Sequence, residues 1–533
     1  MNRNIILPAL AIAAATPGLA QKKNAKKAAD QQYNVVFFMV DQMSARALSM
    51  YDPNNTTIQV PNMERLAREG ATFMNSVCVV AFSSPTRASF ITGLYPNTHK
   101  ILVNVNNNIT PLDPAIPTVE GMLHNQGYKT AFFGKWHLGY ITDWECYKKT
   151  SQDGNEVFNS RYADLRRANN PVAEPARPGE VLANPDRDQG YGFYMDQYLY
   201  DKLQNAPTEA IRRKLTLAEV GRFGVPVDLD NWTLCNQDGI EFIRQNKDRP
   251  FMVTISLEPQ HIPFAVQEPY YSMVKPEDVF LSPSAYDKQM ANGDHGISQY
   301  IGEQGIRLRM RSYYAQILYM DDMLGRVLKA LDDLKLTDKT LVVFTSDHGD
   351  PIASHGMIFD KLLQNFIEEL ILTPTFMRLP GVIPAGRKVQ AHLNSVDYAP
   401  TILDYLGKPI PQAMEGVSLK PVLDGKKKDE VGFTIATRQY ARMVRGEIDG
   451  KIYSYCKMFL VKQNRVTGEE LYNITDDYYQ RVNQINNPDY KAIKERLIAE
   501  YDKYADRIAD HRMADLPSKG LPTTGNIPAS LLR

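Results

Sequence analysis

Four segments share one pattern: an apolar run rich in β-branched and aromatic residues that stops at polar or charged ones. Residues 34–40 run into Asp41 and Gln42, and 130–133 run into Gly134, Lys135, Trp136 and His137. Residues 251–256 lead to Glu258, Pro259, Gln260 and His261, and 341–344 lead to Ser346, Asp347, His348, Gly349 and Asp350. Continuous apolar runs of this length suit strands buried on both faces of a parallel sheet. Apolar positions recur at helical spacing over 60–70, 118–126 and 309–334, which predicts helices there. Strands alternating with helices make an α/β fold around a large, mostly parallel central sheet flanked by helices. Ligands of such sheets collect at the carboxyl ends of strands, where all four polar clusters lie.

The pattern changes elsewhere. Residues 151–232 and 269–304 are polar and rich in Pro, Asn, Asp and Arg. They are expected to be insertions of loops and short helices that shape a substrate pocket. Residues 409–428 read as a linker. Strands are expected at 432–438, 442–445 and 452–461, followed by a helix over 490–512. That makes a small α+β C-terminal subdomain with an antiparallel sheet. At the other end, Arg3, an apolar run over 5–15 and Gly18-Leu19-Ala20 have the form of a signal peptide. The run is too short to span a bilayer, and no later segment is long and apolar enough to do so. The expected division is therefore 1–20 signal peptide, 21–32 polar leader, 33–425 catalytic domain and 430–533 C-terminal subdomain. Export to the periplasm or the medium follows.

The 61 Lys and Arg residues balance 61 Asp and Glu, which argues against a nucleic-acid or membrane-surface binder. A local basic pocket for an anion stays open. Cys78, Cys146, Cys235 and Cys456 are spaced for neither a zinc site nor a disulfide framework and read as buried free thiols.

Within 83–93, Ser84 is the expected N-cap of a helix, Pro85 its first residue and Gly93 its stop. Ser83 then sits at the positive end of the helix, with Arg87 one turn on, a place that suits an anion. Asp41 and Asp347 at neighbouring strand ends need a cation between them, and with His348 they suit calcium or manganese. Lys135 and His137, two apart on an extended strand end, project to the same side and can neutralise an anion and move a proton. Singly, each pattern also fits a plain role: a capped helix, a capping Asp, a solvated Lys beside a packed His.

Together the motifs resemble a family. S-x-P-x-R-x-x-x-x-T-G from Ser83 resembles the signature of type I sulfatases, the formylglycine-dependent enzymes of the alkaline-phosphatase-like superfamily. Residues 35–42 and 345–349 resemble that family's two metal segments, and Gly134-Lys135-Trp136-His137-Leu138-Gly139 its G-K-W-H-L-G. Gln260-His261-Ile262-Pro263-Phe264 resembles P-H-x-P-F, with Gln before the His. Lys361 matches the Lys that precedes the family's Y-E-E, with Ile367 at the Tyr. Residues 396–403 and 470–473 match further out.

The resemblance implies an alkaline-phosphatase-like sandwich and hydrolysis of sulfate esters. Ser83 is then oxidised to formylglycine (3-oxoalanine) by a maturase of the anaerobic radical type. Asp41, Gln42, Asp347, His348 and the modified residue 83 hold one cation, Ca2+ with Mn2+ or Mg2+ as alternatives. Lys135 holds the hydrated aldehyde and the sulfate, and Arg87 favours the ionised nucleophile. His137 is the base that collapses the sulfated intermediate. His261 and Lys361 contact the sulfate, and one of them protonates the leaving oxygen. Asn104 points into the site, and His355 is structural. Export suggests a sulfated carbohydrate or another sulfate ester as substrate. Many members have Asp-Asp where this chain has Asp41-Gln42, a form that also resembles phosphonate monoester hydrolases. A phosphonate monoester or phosphodiester hydrolase is therefore the enzymatic alternative, and an inactive carbohydrate-binding relative is another.

Overall fold

A computed structural model describes residues 32–105, 111–139, 147–150, 164–169, 171–285, 295–357, 366–438, 441–460, 465–508, 510 and 512–513. The expected signal peptide and all but the last residue of the leader, together with Cys146 and Lys361, lie outside the described residues.

An eight-stranded sheet organises the fold. Its order is Arg387–Val389, Ala71–Phe73, Phe376–Arg378, Thr340–Ser346, Asn34–Val40, Phe251–Leu257, Lys129–Gly134, Tyr147–Thr150. The last five run parallel to one another, while Phe376–Arg378 is antiparallel to both its neighbours. Every residue of Asn34–Val40, Phe251–Leu257 and Thr340–Ser346 is buried, as their unbroken apolar runs predict. Side chains alternate between two cores. Val36, Phe38 and Val40 pack with Met63, Cys235, Ile243 and Met323 on one face. Val35, Phe37 and Met39 pack with Ala88, Phe90, Val119 and Tyr398 on the other. Helices Pro61–Glu69, Asn231–Gln245 and His295–Asp333 thus cover one side, and Ser83–Thr92, Val119–Asn125 and Tyr398–Tyr405 the other. Thr118 caps Val119–Asn125, its hydroxyl accepting from the Gly121 N–H at 3.1 Å.

Three expectations are corrected. Residues 151–232 hold helices, but also most of a second sheet, ordered Ala265–Val266, Gly221–Phe223, Phe193–Asp196, Glu180–Asn184. Strands of two to five residues in a polar stretch leave no period to read. The long helix begins at His295 rather than 309, because a break at Gly302 (φ 63°) interrupts its apolar pattern. The linker 409–428 contains the one-turn helix Lys420–Leu423.

At the C-terminus, Phe433–Arg438, Ala441–Ile448, Lys451–Leu460 and Arg465–Asn473 form an antiparallel sheet in chain order. The last of these strands was not expected. Helix Lys491–Arg507 covers the sheet through Leu497, Tyr501 and Ala505, which pack with Ile435, Val444 and Tyr455. Among the described residues no helix is long and apolar enough to cross a membrane.

Candidate active site

Four parallel strands end within one residue of one another: Val40 pairs with Ser346 and Leu257, and Gly134 with Ser256. The residue after each strand is Asp41, Lys135, Glu258 or Asp347. Strand register alone therefore gathers four charged side chains at one edge of the sheet, the place where open α/β sheets bind ligands.

Ser83 reaches this edge from helix Ser83–Thr92, which packs through Phe90 against Tyr398 and Phe37 with ring centroids 4.6 and 5.8 Å apart. The helix starts two residues before the expected position. Its N-cap is Phe82, and the Ser84 hydroxyl instead donates to the His137 carbonyl at 2.5 Å and accepts from the Val105 N–H at 3.0 Å. Pro85 then falls third in the helix, still among the residues whose N–H has no helical acceptor. Asn104 Oδ1 accepts from the Ser84 N–H at 3.1 Å, so its observed contact is with the first helical turn. Gly93 ends the helix at φ 68°, as expected.

Ser83 Oγ lies 3.2 Å from Asp41 Oδ2 and 3.1 Å from His348 Nε2. The His348 Nδ1 is 2.8 Å from the Gly349 carbonyl, an arrangement that places the proton on Nδ1 and turns the Nε2 lone pair toward Ser83. Arg87 ties the cluster together. Its Nε donates to Asp347 at 2.9 Å, its Nη2 to Asp41 at 3.1 Å, and its Nη1 to the Lys135 carbonyl and the Ser256 hydroxyl, each at 2.7 Å. Lys135 Nζ lies 2.8 Å from Asp41 and 2.9 Å from Glu258. Burial pushes the Lys135 ammonium toward neutrality, but Asp41 and Glu258 outweigh it and hold its pKa above the ordinary lysine value.

The motif Lys135–His137 does not continue as an extended strand. Gly134 has φ 99° and His137 φ 63°, so the two side chains do not share a face by alternation. Lys135 is buried and His137 half-buried. The His261 Nδ1 is 3.0 Å from the Ile262 carbonyl and 3.9 Å from Glu258, with its side chain 20% exposed. Gln42 adopts φ 66°, and its Nε2 donates to Asp350 at 2.7 Å. Asp350 also accepts from Arg309 at 2.6 Å. Glu258, Ser256 and Asp350 were not singled out from the sequence, although Glu258 and Asp350 stand inside the quoted motifs. Their roles depend on cross-strand neighbours that no local pattern shows.

Asp41, Asp347 and His348 are buried and each offers a ligand atom, all within 4.8 Å of one another. Two carboxylate oxygens and a neutral imidazole nitrogen fit a divalent cation.

The chain matches the model of the family described as sulfatase over residues 33–216 and 233–408. It belongs to the sulfatase family. Residues 354–507 also match the C-terminal region of N-sulphoglucosamine sulphohydrolase. The family makes this chain a sulfuric ester hydrolase. It is 27% identical over 462 residues to an N-acetylglucosamine-6-O-sulfatase of Bacteroides thetaiotaomicron, covering 80% of this chain and 76% of that one. It is 25% identical over 497 residues to an ulvan-active sulfatase of Formosa agariphila, covering 90% and 82%. Among solved structures, a phosphonate monoester hydrolase from Silicibacter pomeroyi superposes with a TM-score of 0.69 at 19% identity, covering 91% of this sulfatase and 97% of that chain. BT4656, solved with its substrate D-glucosamine-2-N,6-O-disulfate, superposes with a TM-score of 0.63 at 20% identity, covering 90% and 98%. At these identities both structures speak for the fold.

Proposed function

We propose that the protein is an exported sulfatase that hydrolyses sulfate esters of a sulfated saccharide, with residue 83 oxidised from serine to formylglycine. The observation that carries this reading is Ser83 Oγ within hydrogen-bond reach of both Asp41 and His348, two members of the buried donor cluster. Asp41, Asp347, His348 and the modified residue 83 hold one divalent cation, Ca2+ with Mn2+ or Mg2+ as alternatives, and Gln42 completes the set. Once hydrated to a geminal diol, the aldehyde of residue 83 would supply the oxygen nucleophile toward sulfur, and a cation held there would favour its ionised form.

The chain's own residues do the rest. Arg87 fixes both carboxylates. Lys135 stays protonated between Asp41 and Glu258 and faces the sulfuryl oxygens. His261, partly exposed, hands a proton to the leaving alcohol, with Lys361 as the second sulfate contact. His137 takes the proton that lets sulfate depart. Asn104 holds the first turn of the Ser83 helix at the substrate's side. Residues 1–20 direct export to the periplasm or medium, 21–32 form a leader, 33–425 carry the catalysis and 430–533 form the C-terminal subdomain. The N-acetylglucosamine and ulvan in the names of two relatives support a saccharide. Asp41-Gln42 and the phosphonate-hydrolase likeness favour a second reading, phosphonate monoester hydrolysis on the same machinery.

The test is expression with and without a serine-oxidising maturase of the anaerobic radical type. With it, the Ser83 peptide should lack two hydrogens by mass spectrometry, and 4-nitrophenyl sulfate should be hydrolysed faster than an aryl phosphonate monoester. Without it, the protein should fold and be nearly inactive. Full activity from unmodified serine excludes the formylglycine, and a faster phosphonate rate selects the second reading.

A further inference from the structure

Beside the catalytic cluster lies a small cavity of about 50 Å³. Glu258 and His261 lie on the side toward the active site, and Asp230, Trp232, Gln267 and Gln316 are among the other residues that line it. Glu258 accepts from Lys135 Nζ at 2.9 Å, and that ammonium lies 2.8 Å from the Asp41 carboxylate to which Ser83 bonds. The cavity is therefore one side chain removed from the charged centre.

Its polar wall includes the side-chain oxygens of Gln267, Gln316 and Asp230 beside donor groups of Trp232, His261 and Tyr319. Gln316 Nε2 donates to the carbonyls of Pro263 at 2.9 Å and Ala265 at 3.2 Å. Those two acceptors fix the amide's orientation, since the flipped form would set oxygen against oxygen. The Gln316 Oε1 that results is buried with no hydrogen-bond partner among the described residues, and so is Gln267 Oε1. Both residues are 2% exposed. Asp230 Oδ1 accepts from the Tyr319 hydroxyl at 2.5 Å and the Trp232 N–H at 2.9 Å. A buried acceptor without a donor is costly, so two on one cavity mark a place for a donor from outside the chain. The space holds one group somewhat larger than a water, whose share of the liquid is roughly 30 Å³.

Resting on the sulfatase reading above, we propose that this cavity is a specificity subsite that takes one hydrogen-bond-donating substituent of the sugar, a hydroxyl or an ammonium, near the sulfate ester. It rejects a second sulfate at that position. The amide oxygens offer such a sulfate no donor, and the carboxylates of Asp230 and Glu258 repel it. Trp232 adds apolar surface against the sugar's C–H groups.

The test is binding, so that it does not depend on turnover. Ser83→Ala protein is titrated by calorimetry with the 3-, 4- and 6-sulfates of N-acetylglucosamine, then with the monodeoxy and disulfated analogues of the tightest binder. One deoxy analogue should bind about 10- to 100-fold more weakly, and sulfation of that same hydroxyl should abolish binding. Gln267→Met and Gln316→Met, added separately, should each bring the parent-to-deoxy ratio within about threefold of one. Gln267→Met keeps the Gln316 bonds to the Pro263 and Ala265 carbonyls, so it reads the acceptor even if Gln316→Met loosens that loop. Three results overturn the proposal: no binding of any monosulfate, every deoxy analogue within twofold of its parent, or a ratio that survives both substitutions. Turnover of 4-nitrophenyl sulfate by matured wild-type protein reads the sulfatase assignment separately. Its absence overturns that assignment and leaves the binding ratio to decide the cavity.

Discussion

Glu120 shows what a buried carboxyl does when no cation faces it. It lies on helix Val119–Asn125, is 0% exposed, and accepts from the Thr254 hydroxyl at 3.2 Å. Burial pushes its pKa up to about 7. The folded protein thus keeps this proton to about pH 7, while the unfolded chain releases it near 4.5. The stability this group contributes is complete below pH 4.5 and is lost as pH rises through 7. Glu120→Gln should remove that loss. At pH 8 the variant is expected to be more stable than wild type by about 3 kcal/mol, and near pH 4.5 roughly equal to it. Urea unfolding at pH 4.5, 6 and 8 checks this, and a variant no more stable at pH 8 counts against it. The cysteines obey the same rule. Cys78, Cys235 and Cys456 are buried, and burial raises the thiol pKa of Cys78 and Cys456.

The elements that carry the site end on tight backbone contacts. A Cβ at Gly134 (φ 99°) would lie 1.9 Å from the Ser256 carbonyl oxygen, the same oxygen that accepts from the Lys135 N–H at 2.9 Å. Gly127 also has positive φ (88°), but a Cβ there would meet nothing within 4 Å. Gly134→Ala should therefore cost about 3 kcal/mol and most of the activity, since Lys135 must move, whereas Gly127→Ala should cost about 1 kcal/mol and leave activity intact. Chemical unfolding and aryl sulfate turnover of the two variants check the contrast, and equal losses would refute it. This contact also explains what the sequence could and could not say. The central strands were legible because they are buried on both faces. Ala71–Phe73, Phe376–Arg378 and Arg387–Val389 were not, being three residues each. Asp41, Ser83, Arg87, Lys135 and Asp347 were legible as candidates because each stands in a recognisable motif. The left-handed turn at His137 and the Glu258–Lys135 pairing were not, because both depend on neighbouring strands.

The C-terminal sheet braces the active site from outside the main sheet. The Thr437 N–H donates to the Val79 carbonyl at 2.7 Å, just ahead of Ser83. Arg445 grips Glu368 with two bonds, Nε to Oε1 at 2.8 Å and Nη2 to Oε2 at 2.9 Å. Glu368 opens the short helix Glu368–Ile371, whose Leu370 carbonyl accepts from the Gly349 N–H at 2.8 Å, next to His348. Arg46 pairs with Glu369 at 3.0 Å and reaches Glu368 at 3.8 Å. All four side chains are 1–2% exposed, so removing one partner strands a charge away from water. Arg445→Met should cost about 3–5 kcal/mol. Adding Glu368→Met to it should recover most of that, because the uncompensated carboxylate is gone while Arg46 keeps Glu369. Urea unfolding of wild type, both single variants and the double variant closes the cycle. A single Arg445→Met variant within 1 kcal/mol of wild type, or a double variant as unstable as the sum of the singles, would mean that this ion pair does not hold the C-terminal sheet against the catalytic sheet.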